Sequence, residues 1–197
     1  TALEQVSFKK FASKKISCIS NIAKTSFGIT FGLQSLTLQL KLLIQQINFI
    51  EQQVHDVEIQ IKQLLHKINT PITTIPGIGD IIGATILGEI GDIERFSNPS
   101  KLVAYAGIDA SVHQSGDYIS TNNKMSKRGS PYLRTALFRA ALIASVHDPV
   151  FKAYYQKKRS EGKHHLTCLG AVARKLCYTI HAILKNNCEY KVQLPTE

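Results

Sequence analysis

The polar stretch from residue 108 to residue 126 contains the hydroxyl groups that could act as nucleophiles. Its serines are Ser111, Ser115, Ser120 and Ser126. His113 and Asp117 flank Ser115, but residues two apart on an extended chain lie on the same side and do not form a Ser-His-Asp relay by themselves. Most serines in such stretches form turns. The residues alone exclude a self-contained hydrolase and leave the identity of any nucleophile open.

A serine that attacks a phosphodiester needs cationic or metal help for the charge that develops on phosphorus. Lys127 and Arg128 follow the serines and are candidates for that electrostatic help. The chain contains no C-x-x-C or H-E-x-x-H pattern, and His164 and His165 would point two ways on a helix. We predict no metal site here, and the cysteines fit the reduced thiols of a cytosol.

A second motif, I-T-T-I-P-G-I-G-D-I-I-G-A-T-I-L, begins at Ile72 and matches the helix-hairpin-helix pattern h-x-x-h-P-G-h-G-x-x-x-A. Its glycines let the main chain approach a phosphate, and Ala84 would allow the two helices to pack closely. Free amides at the second helix would bind phosphate oxygens without reading bases. The predicted DNA contacts are Pro76, Gly77, Ile78 and Gly79. The alternative is a helical corner that uses the glycines only to turn.

Net charge also favours a polyanionic partner. The chain has 24 Lys and Arg against 14 Asp and Glu, a net charge of +10. Between residues 124 and 175 there are twelve basic residues and two acids. The predicted nucleic-acid contacts there are Lys124, Lys127, Arg128, Arg134, Arg174 and Lys175. A solvated basic surface without a partner is the alternative.

Composition limits the class of protein. Hydrophobic residues make up 44% of the 197 residues and charged residues 19%, a globular balance. The apolar runs are broken well before the roughly 20 residues needed to span a bilayer, so we expect no membrane partner. The first residues, T-A-L-E-Q-V-S-F-K-K, lack an initiator Met and a signal-peptide core. We expect a segment of a longer polypeptide.

The elements that must position these residues are helical. From Leu36 to Ile68 apolar residues recur at alternating steps of four and three, a heptad seam without Gly or Pro. One uninterrupted helix would run about 50 Å at about 1.5 Å per residue, and such a rod needs a partner. A second chain in a coiled coil is one candidate. The other is a helical hairpin with residues 3–26, folded back at Gly28 and Gly32.

Cap-then-proline signals define the remaining helices. Thr70-Pro71 opens a short helix, and Asp80 is predicted to cap a helix over 81–90 that stops at Gly91. Further helices are expected over 131–146, 149–160 and about 166–186, with only 108–124 as a loop or small β-hairpin. The predicted fold class is all-α, with a helical segment at 1–68 and a second domain at 69–190.

Six segments between residues 70 and 185 carry a resemblance to a known family. They are I-P-G-I-G, E-I-G-D-I-E-R-F, Y-A-G, S-V-H-Q-S-G, S-K-R-G-S-P-Y-L-R and V-A-R-K-L. In order and spacing they resemble the C-terminal domain of the DEDD insertion-sequence transposases, the Piv invertase-like group of insertion sequences 110 and 1111. The family's S-G pair falls on Ser115. Ala110 and His113 stand where the family commonly has Pro and Arg.

The resemblance implies a DNA transposase or site-specific recombinase in which Ser115 is the nucleophile for strand cleavage and rejoining. It implies an RNase H-like domain that this chain lacks, with acids that bind Mg²⁺, and a chain that is inactive alone. Expected partners are DNA, a structured bridge RNA and further copies of the chain through the coiled coil, in a bacterial or archaeal cytoplasm.

Three alternatives lead elsewhere. A non-catalytic helix-hairpin-helix module would bind DNA or RNA without chemistry, and an oligomerisation rod would meet RNA through its basic face. A DNA glycosylase is excluded because Asp92 follows the hairpin too soon and Trp is absent.

Overall fold

The computed structural model describes residues 13–28, 32–110, 114–115, 118–119 and 125–192. Its α-helices are α1 (Ser13–Thr25), α2 (Leu33–Ile68), α3 (Asp80–Ile90), α4 (Pro99–Tyr105), α5 (Pro131–His147), α6 (Pro149–Ser160) and α7 (His165–Asn186). Two 3-10 turns, Pro71–Thr74 and Ile93–Arg95, and two short strands, β1 (Gln114–Ser115) and β2 (Tyr118–Ile119), complete the described elements. The all-α prediction is confirmed for these residues, and the two strands lie within 108–124, where a loop or small β-hairpin was predicted.

The long helix begins a little before the predicted seam. Gly32 precedes it with a φ of +75°, a conformation that glycine adopts without strain. The chain divides into two compact units, residues 1–53 and 54–197, and the division falls inside α2. Within α2 only Leu65 is buried.

The described part of α1 does not cover the seam. Leu36, Leu40 and Leu43 are 53%, 59% and 56% exposed, and Ile22 of α1 is 60% exposed. The predicted hairpin with residues 3–26 is therefore not formed by the described residues, and residues 3–12 lie outside them.

Residues 54–197 have a core of their own. Helix α7 packs against α4, α5 and α6, and α5 packs against α3 as well. Helix α5 presents alanines, Ala136, Ala140, Ala141 and Ala144, which are all buried. Small side chains at helix contacts let the neighbouring backbones approach closely, so α5 is the central element of this unit.

The predicted caps position the helices. Asp148 Oδ1 accepts hydrogen bonds of 2.9 Å from the amides of Val150 and Phe151, and Ser130 Oγ accepts from Leu133. The predictions for 131–146, 149–160 and 166–186 are confirmed within one residue. Asn98 and Pro99 open α4 in the same way, a helix that the sequence reading missed.

The predicted cap of α3 is reassigned. Gly79, not Asp80, is the N-cap of α3, and Asp80 is its first helical residue. Because Gly79 has no side chain, this helix begins without a side-chain cap. No helix in the described ranges has the length and apolar content needed to cross a membrane.

Candidate nucleic-acid interface

Two glycines join the Y-A-G and S-K-R-G-S segments, and we call residues 105–109 with 126–130 the glycine junction. The amides of Ser126 and Lys127 donate to the carbonyls of Asp109 and Gly107 at 2.9 and 3.0 Å. A Cβ on Gly129 would lie 1.8 Å from the Tyr105 carbonyl oxygen. No other residue fits there, because such contacts are far inside van der Waals distance.

Two features of the backbone require glycine at position 107. Its φ is +66°, in the left-handed region, and a Cβ would lie 2.7 Å from the Gly129 nitrogen. The Ser130 amide also donates to the Tyr105 carbonyl at 2.8 Å. The two sequence segments are thus one backbone unit.

Ser115 lies on a β-hairpin whose two ends lead along the chain to this junction. Ala110 and Met125 form an antiparallel bridge, and Ser115 pairs with Tyr118 between β1 and β2. The backbone of Ser115 is therefore placed in the hairpin; its side chain is outside the described part. Several other predicted residues lie wholly outside the described ranges: Ser111, His113, Asp117, Ser120 and Lys124.

A cleft of about 1170 Å³ opens at the base of the hairpin, lined by Ile108, Asp109, Ala110 and Met125 together with residues of α5, α6 and α7. Its cations are Lys127, Arg134, Arg139 and Arg174. Among the described residues of the lining Asp109 is the one acid, and its carboxylate accepts a hydrogen bond from Ser126 Oγ. We call this feature the basic cleft.

The floor of the basic cleft is apolar. A Cβ on Gly170 would lie 3.6 Å from both Met125 Cε and Phe138 Cζ, so these two side chains lie over Gly170. Leu142 and Leu166, also in the lining, are 47% and 59% exposed. The cleft therefore combines positive charge with exposed apolar surface.

The cations of the basic cleft differ in their exposure and in their hydrogen bonds. Arg134 is half-buried and donates from Nη1 to the Ala106 carbonyl at 3.4 Å, which ties it to the glycine junction. Lys127 is exposed and has a φ of +54°, uncommon for a residue with a Cβ and often found at functional sites. Arg139 and Arg174 are exposed and reach solvent.

The P-G-I-G turn packs against α5. Gly77 has a φ of +90°, and a Cβ there would lie 2.5 Å from the Ala140 carbonyl oxygen. Ile78, predicted to contact DNA, is 3% exposed, and a Cβ on Gly83 would lie 3.5 Å from its Cγ2, so its side chain fills the space between the turn and α3. Gly83, rather than Ala84, is the small residue at the close contact, since its Cβ would lie 3.3 Å from Ile72 Cγ2.

Gly79 differs from Gly77. Its φ of −85° and ψ of −179° are open to any residue, and a Cβ would meet nothing within 4 Å. The backbone amides of the first turn of α3 have no intrahelical partner by geometry. Lys62 Nζ lies 3.9 Å from the Asp80 carboxylate, which offsets the negative charge at this helix start. A ligand can therefore approach the backbone at Gly79, whereas α5 covers the backbone at Gly77.

Comparison with known proteins identifies the segment that carries these features. Residues 69–156 match the family described as Transposase IS116/IS110/IS902 family. This segment belongs to that transposase family. It includes the P-G-I-G turn, the glycine junction, the hairpin and α5, and it ends inside α6.

Individual relatives agree. The chain is 33% identical over 126 residues, 64% of its length, to the insertion element IS900 uncharacterized 42 kDa protein of Mycobacterium paratuberculosis. It is 32% identical over 126 residues to the pilin gene-inverting protein of Moraxella bovis, and 28% identical over 130 residues to the insertion element IS110 uncharacterized 43.6 kDa protein of Streptomyces coelicolor. The matches cover 31%, 39% and 32% of those proteins, so the chain spans about a third of their length.

The structure brings together some of the basic residues that were predicted to contact nucleic acid. Lys127, Arg134 and Arg174 share the basic cleft. Arg128 is exposed outside its lining. Lys175 Nζ lies instead 5.0 Å from the Tyr154 ring centroid and 5.8 Å from that of Phe151, cation–π distances that stabilise α6 on α7.

Two cleft residues of the transposase segment were not selected from the sequence. Arg139 is one of the twelve basic residues between 124 and 175, and Phe138 belongs to none of the sequence motifs. The available signal was spacing: Thr135, Phe138, Arg139 and Leu142 recur at helical steps on one face of α5. A face with apolar and basic residues together differs from an ordinary solvated face.

Other reactive groups in the described part serve the fold. Burial raises the pKa of the Cys177 thiol to about 12, which keeps it protonated and unreactive. His181 is buried and its Nε2 lies 2.9 Å from the Phe96 carbonyl oxygen. Hydrogen bonds from Lys158 and then Lys163 lower the pKa of exposed Glu161 to about 2, so this acid neutralises part of the basic run.

Among the residues that the structure describes, no three His, Cys, Asp or Glu side chains cluster so that they could hold a metal ion. Mg²⁺ bound by a separate acidic domain, which the resemblance implies, stays a prediction.

Proposed function

We propose that this chain is the DNA-binding, serine-bearing part of a transposase or site-specific recombinase, with Ser115 as the nucleophile for strand cleavage and rejoining. One observation carries the proposal. Ala110 and Met125, the bridged pair at the base of the Ser115 hairpin, both line the basic cleft. The residue that matches the family's serine is therefore on the same structural unit as a concentration of cations.

The chemistry assigned to these residues is a transesterification. The Ser115 oxygen attacks a backbone phosphorus, a new serine–phosphate ester forms, and the bond from phosphorus to the leaving strand's oxygen breaks. The serine proton goes to a base, and the leaving oxygen takes up a proton. Reversal with another strand's hydroxyl rejoins the DNA.

The basic cleft would support both steps. Exposed Arg139 and Arg174 can bind phosphates that flank the reacting one, and cations near the transition state stabilise its added negative charge. Two of the three cleft arginines lie on α5 and the third on α7, and rigid helices hold charges more exactly than loops do.

The partners follow from the resemblance and from the exposed seam. An RNase H-like domain would bring metal-binding acids, whose Mg²⁺ polarises phosphate oxygens when bound. A bridge RNA would select the DNA. The apolar seam of α2, exposed at Leu40, Ile47 and Val54 among others, favours a second copy of the chain in a coiled coil.

The test uses the protein joined to its acidic domain. Ser115→Ala should abolish strand cleavage and the covalent protein–DNA adduct, while DNA binding changes by no more than a few-fold. Ser111→Ala is the matched control and should retain cleavage. An adduct that persists in Ser115→Ala would place the nucleophile elsewhere in the hairpin. Cleavage without any adduct in the intact protein would make water the nucleophile.

A non-catalytic DNA- or RNA-binding module is the second candidate. The open approach at Gly79, beside the uncapped start of α3, favours it. It predicts the same binding with no effect of Ser115→Ala on any reaction, so the adduct assay separates the two functions.

A further inference from the structure

The basic cleft holds a combination that binding to duplex phosphates does not require, namely cations around an apolar floor. We infer that it binds an unpaired stretch of DNA, with phosphates on Arg139 and Arg174 and one base stacked on Phe138. This inference rests on the proposed DNA-binding function and deepens it by naming the form of DNA.

Phe138 is placed to receive a base. Its side chain is half-buried, packed beside Met125 over Gly170, so the ring is held from below. Among the described residues it takes part in no ring-to-ring or cation-to-ring contact. The other aromatic residue of the lining, Tyr154, already has Lys175 and Lys158 over its ring at 5.0 and 5.7 Å.

The charges complement a single-stranded backbone. Arg139 is the residue after Phe138 on α5, and Arg174 reaches the same cleft from α7. Both are exposed, whereas Arg134 is half-buried and bonded to the Ala106 carbonyl. A positive groove with an aromatic platform is how proteins bind single strands without reading sequence.

Duplex DNA would leave the floor unused. Its bases are paired and stacked, so they present edges in the grooves and keep their faces away from solvent. The exposed side chains of Leu142 and Leu166, at 47% and 59%, would then remain against water or charged phosphates. An unpaired base offers a flat apolar face that covers such side chains.

DNA rather than RNA is assigned because Ala110 and Met125, the bridged pair between which the chain forms the Ser115 hairpin, both line the cleft. The strand beside that hairpin is the one that the proposed reaction would cut, and the proposed reaction cuts DNA.

The experiment measures binding of the 197-residue chain to a fluorescent oligothymidylate of about 16 nucleotides and to a duplex of equal length. Phe138→Leu keeps the apolar packing but removes the aromatic face. It should weaken single-strand binding about fivefold or more, as expected for one lost base stack, and leave duplex binding unchanged. Phe138→Tyr, which retains the face, should bind like the unmodified chain.

Two double variants, each of which removes two positive charges, test where the phosphates bind. Arg139→Ala with Arg174→Ala should lower the salt slope for single strands by about 1.4, since each phosphate contact contributes about 0.7. Lys152→Ala with Lys157→Ala removes two exposed charges from α6 outside the cleft lining and should have less effect.

Equal single-strand binding by Phe138→Leu, or equal losses in the two charge pairs, would overturn the inference while leaving the Ser115 adduct test untouched. Tighter binding of an oligouridylate than of the oligothymidylate would overturn the assignment to DNA. Absence of binding to any nucleic acid would overturn both this inference and the proposed function.

Discussion

Helices α2 and α7 have similar apolar spacing in the sequence and opposite surroundings in the structure. Helix α7 buries a continuous face: Cys168, Leu169, Val172, Ala173, Leu176, Cys177, Ile180, His181 and Ile183. Helix α2 is 36 residues long and buries Leu65 alone. The period of a pattern shows that a helix has an apolar face, but it does not show which surface covers that face.

The difference has an energetic meaning. Burying an apolar side chain contributes roughly 1.5 to 3 kcal/mol, so α7 is stabilised by its own chain. A long helix gains most of its stability from packing, and α2 obtains little of that from the described residues. Residues 54–197 should therefore fold in their own right, while the seam depends on a partner.

The largest effect should come from the glycine junction within the packed unit. Gly129→Ala forces a Cβ against the Tyr105 carbonyl, so the two backbones must separate, which should cost about 4 kcal/mol or more. Urea denaturation measures this. Gly88→Ala, in a helix with open space around it, should raise stability by about 0.5 to 1 kcal/mol. Equal stability of both variants would show that the close contact is absent.

A cavity tests the packed face against the exposed one. Leu176→Ala empties a fully buried position and should lower the free energy of unfolding by about 3 kcal/mol. Leu40→Ala, at a 59% exposed position, should change the monomer by less than about 0.5 kcal/mol. A large loss at Leu40 that grows with protein concentration would identify the covering partner as a second copy.

The seam itself is tested by a charge. Val54→Asp places an unpaired carboxylate in the proposed coiled coil and should weaken association at least tenfold, about 1.4 kcal/mol. Sedimentation and circular dichroism give the mass and the helix content. Gln53→Asp adds the same charge beside the seam and should be milder. Unchanged mass, helicity and thermal stability in Val54→Asp would show that the seam packs against nothing.

A smaller effect is expected at Gly79, where a substitution should weaken DNA binding but leave thermal stability nearly unchanged. Gly79→Val fits the backbone and meets open space, so thermal unfolding should shift little. Its branched side chain would obstruct a phosphate at the start of α3 and should weaken DNA binding about fivefold, or about 1 kcal/mol. Unchanged binding would favour the helical corner over the helix-hairpin-helix.

The smallest effect concerns single exposed charges. Lys127→Ala should lower the slope of log affinity against log salt by about one unit on duplex DNA. Arg128→Ala should lower it less, since Arg128 lies outside the cleft lining, and the two together by about two at most. Affinity that is independent of salt would contradict the basic surface altogether.

Helix positions were predictable because they depend on local chemistry. Ser130-Pro131 and Asp148-Pro149 gave correct helix starts, since a capping side chain and a fixed proline φ act within one turn. The same local signal stands at Asn98-Pro99, where α4 begins. Resemblance, not spacing, singled out Ser115.

The basic cleft depends on contacts that are distant in the sequence. Arg139 and Arg174 line one cleft because α5 packs on α7, and no local pattern states that pairing. The role of Gly129 was equally hidden, because its constraint is a carbonyl 24 positions earlier at Tyr105. Conversely, the seam was clear in the sequence, yet the residues that the structure describes leave it uncovered.

The glycine junction also affects how far the segment between residues 110 and 125 can vary in sequence and length. Its hydrogen bonds hold Asp109 and Ser126 together, so the ends of the intervening segment stay fixed whatever lies between them. The entropy of closing such a loop rises slowly, by about 0.6 kcal/mol for each doubling of its length. Insertions or exchanges between residues 110 and 125 should therefore cost the domain little stability. A chain built this way can change the segment between residues 110 and 125 while the helical framework stays the same.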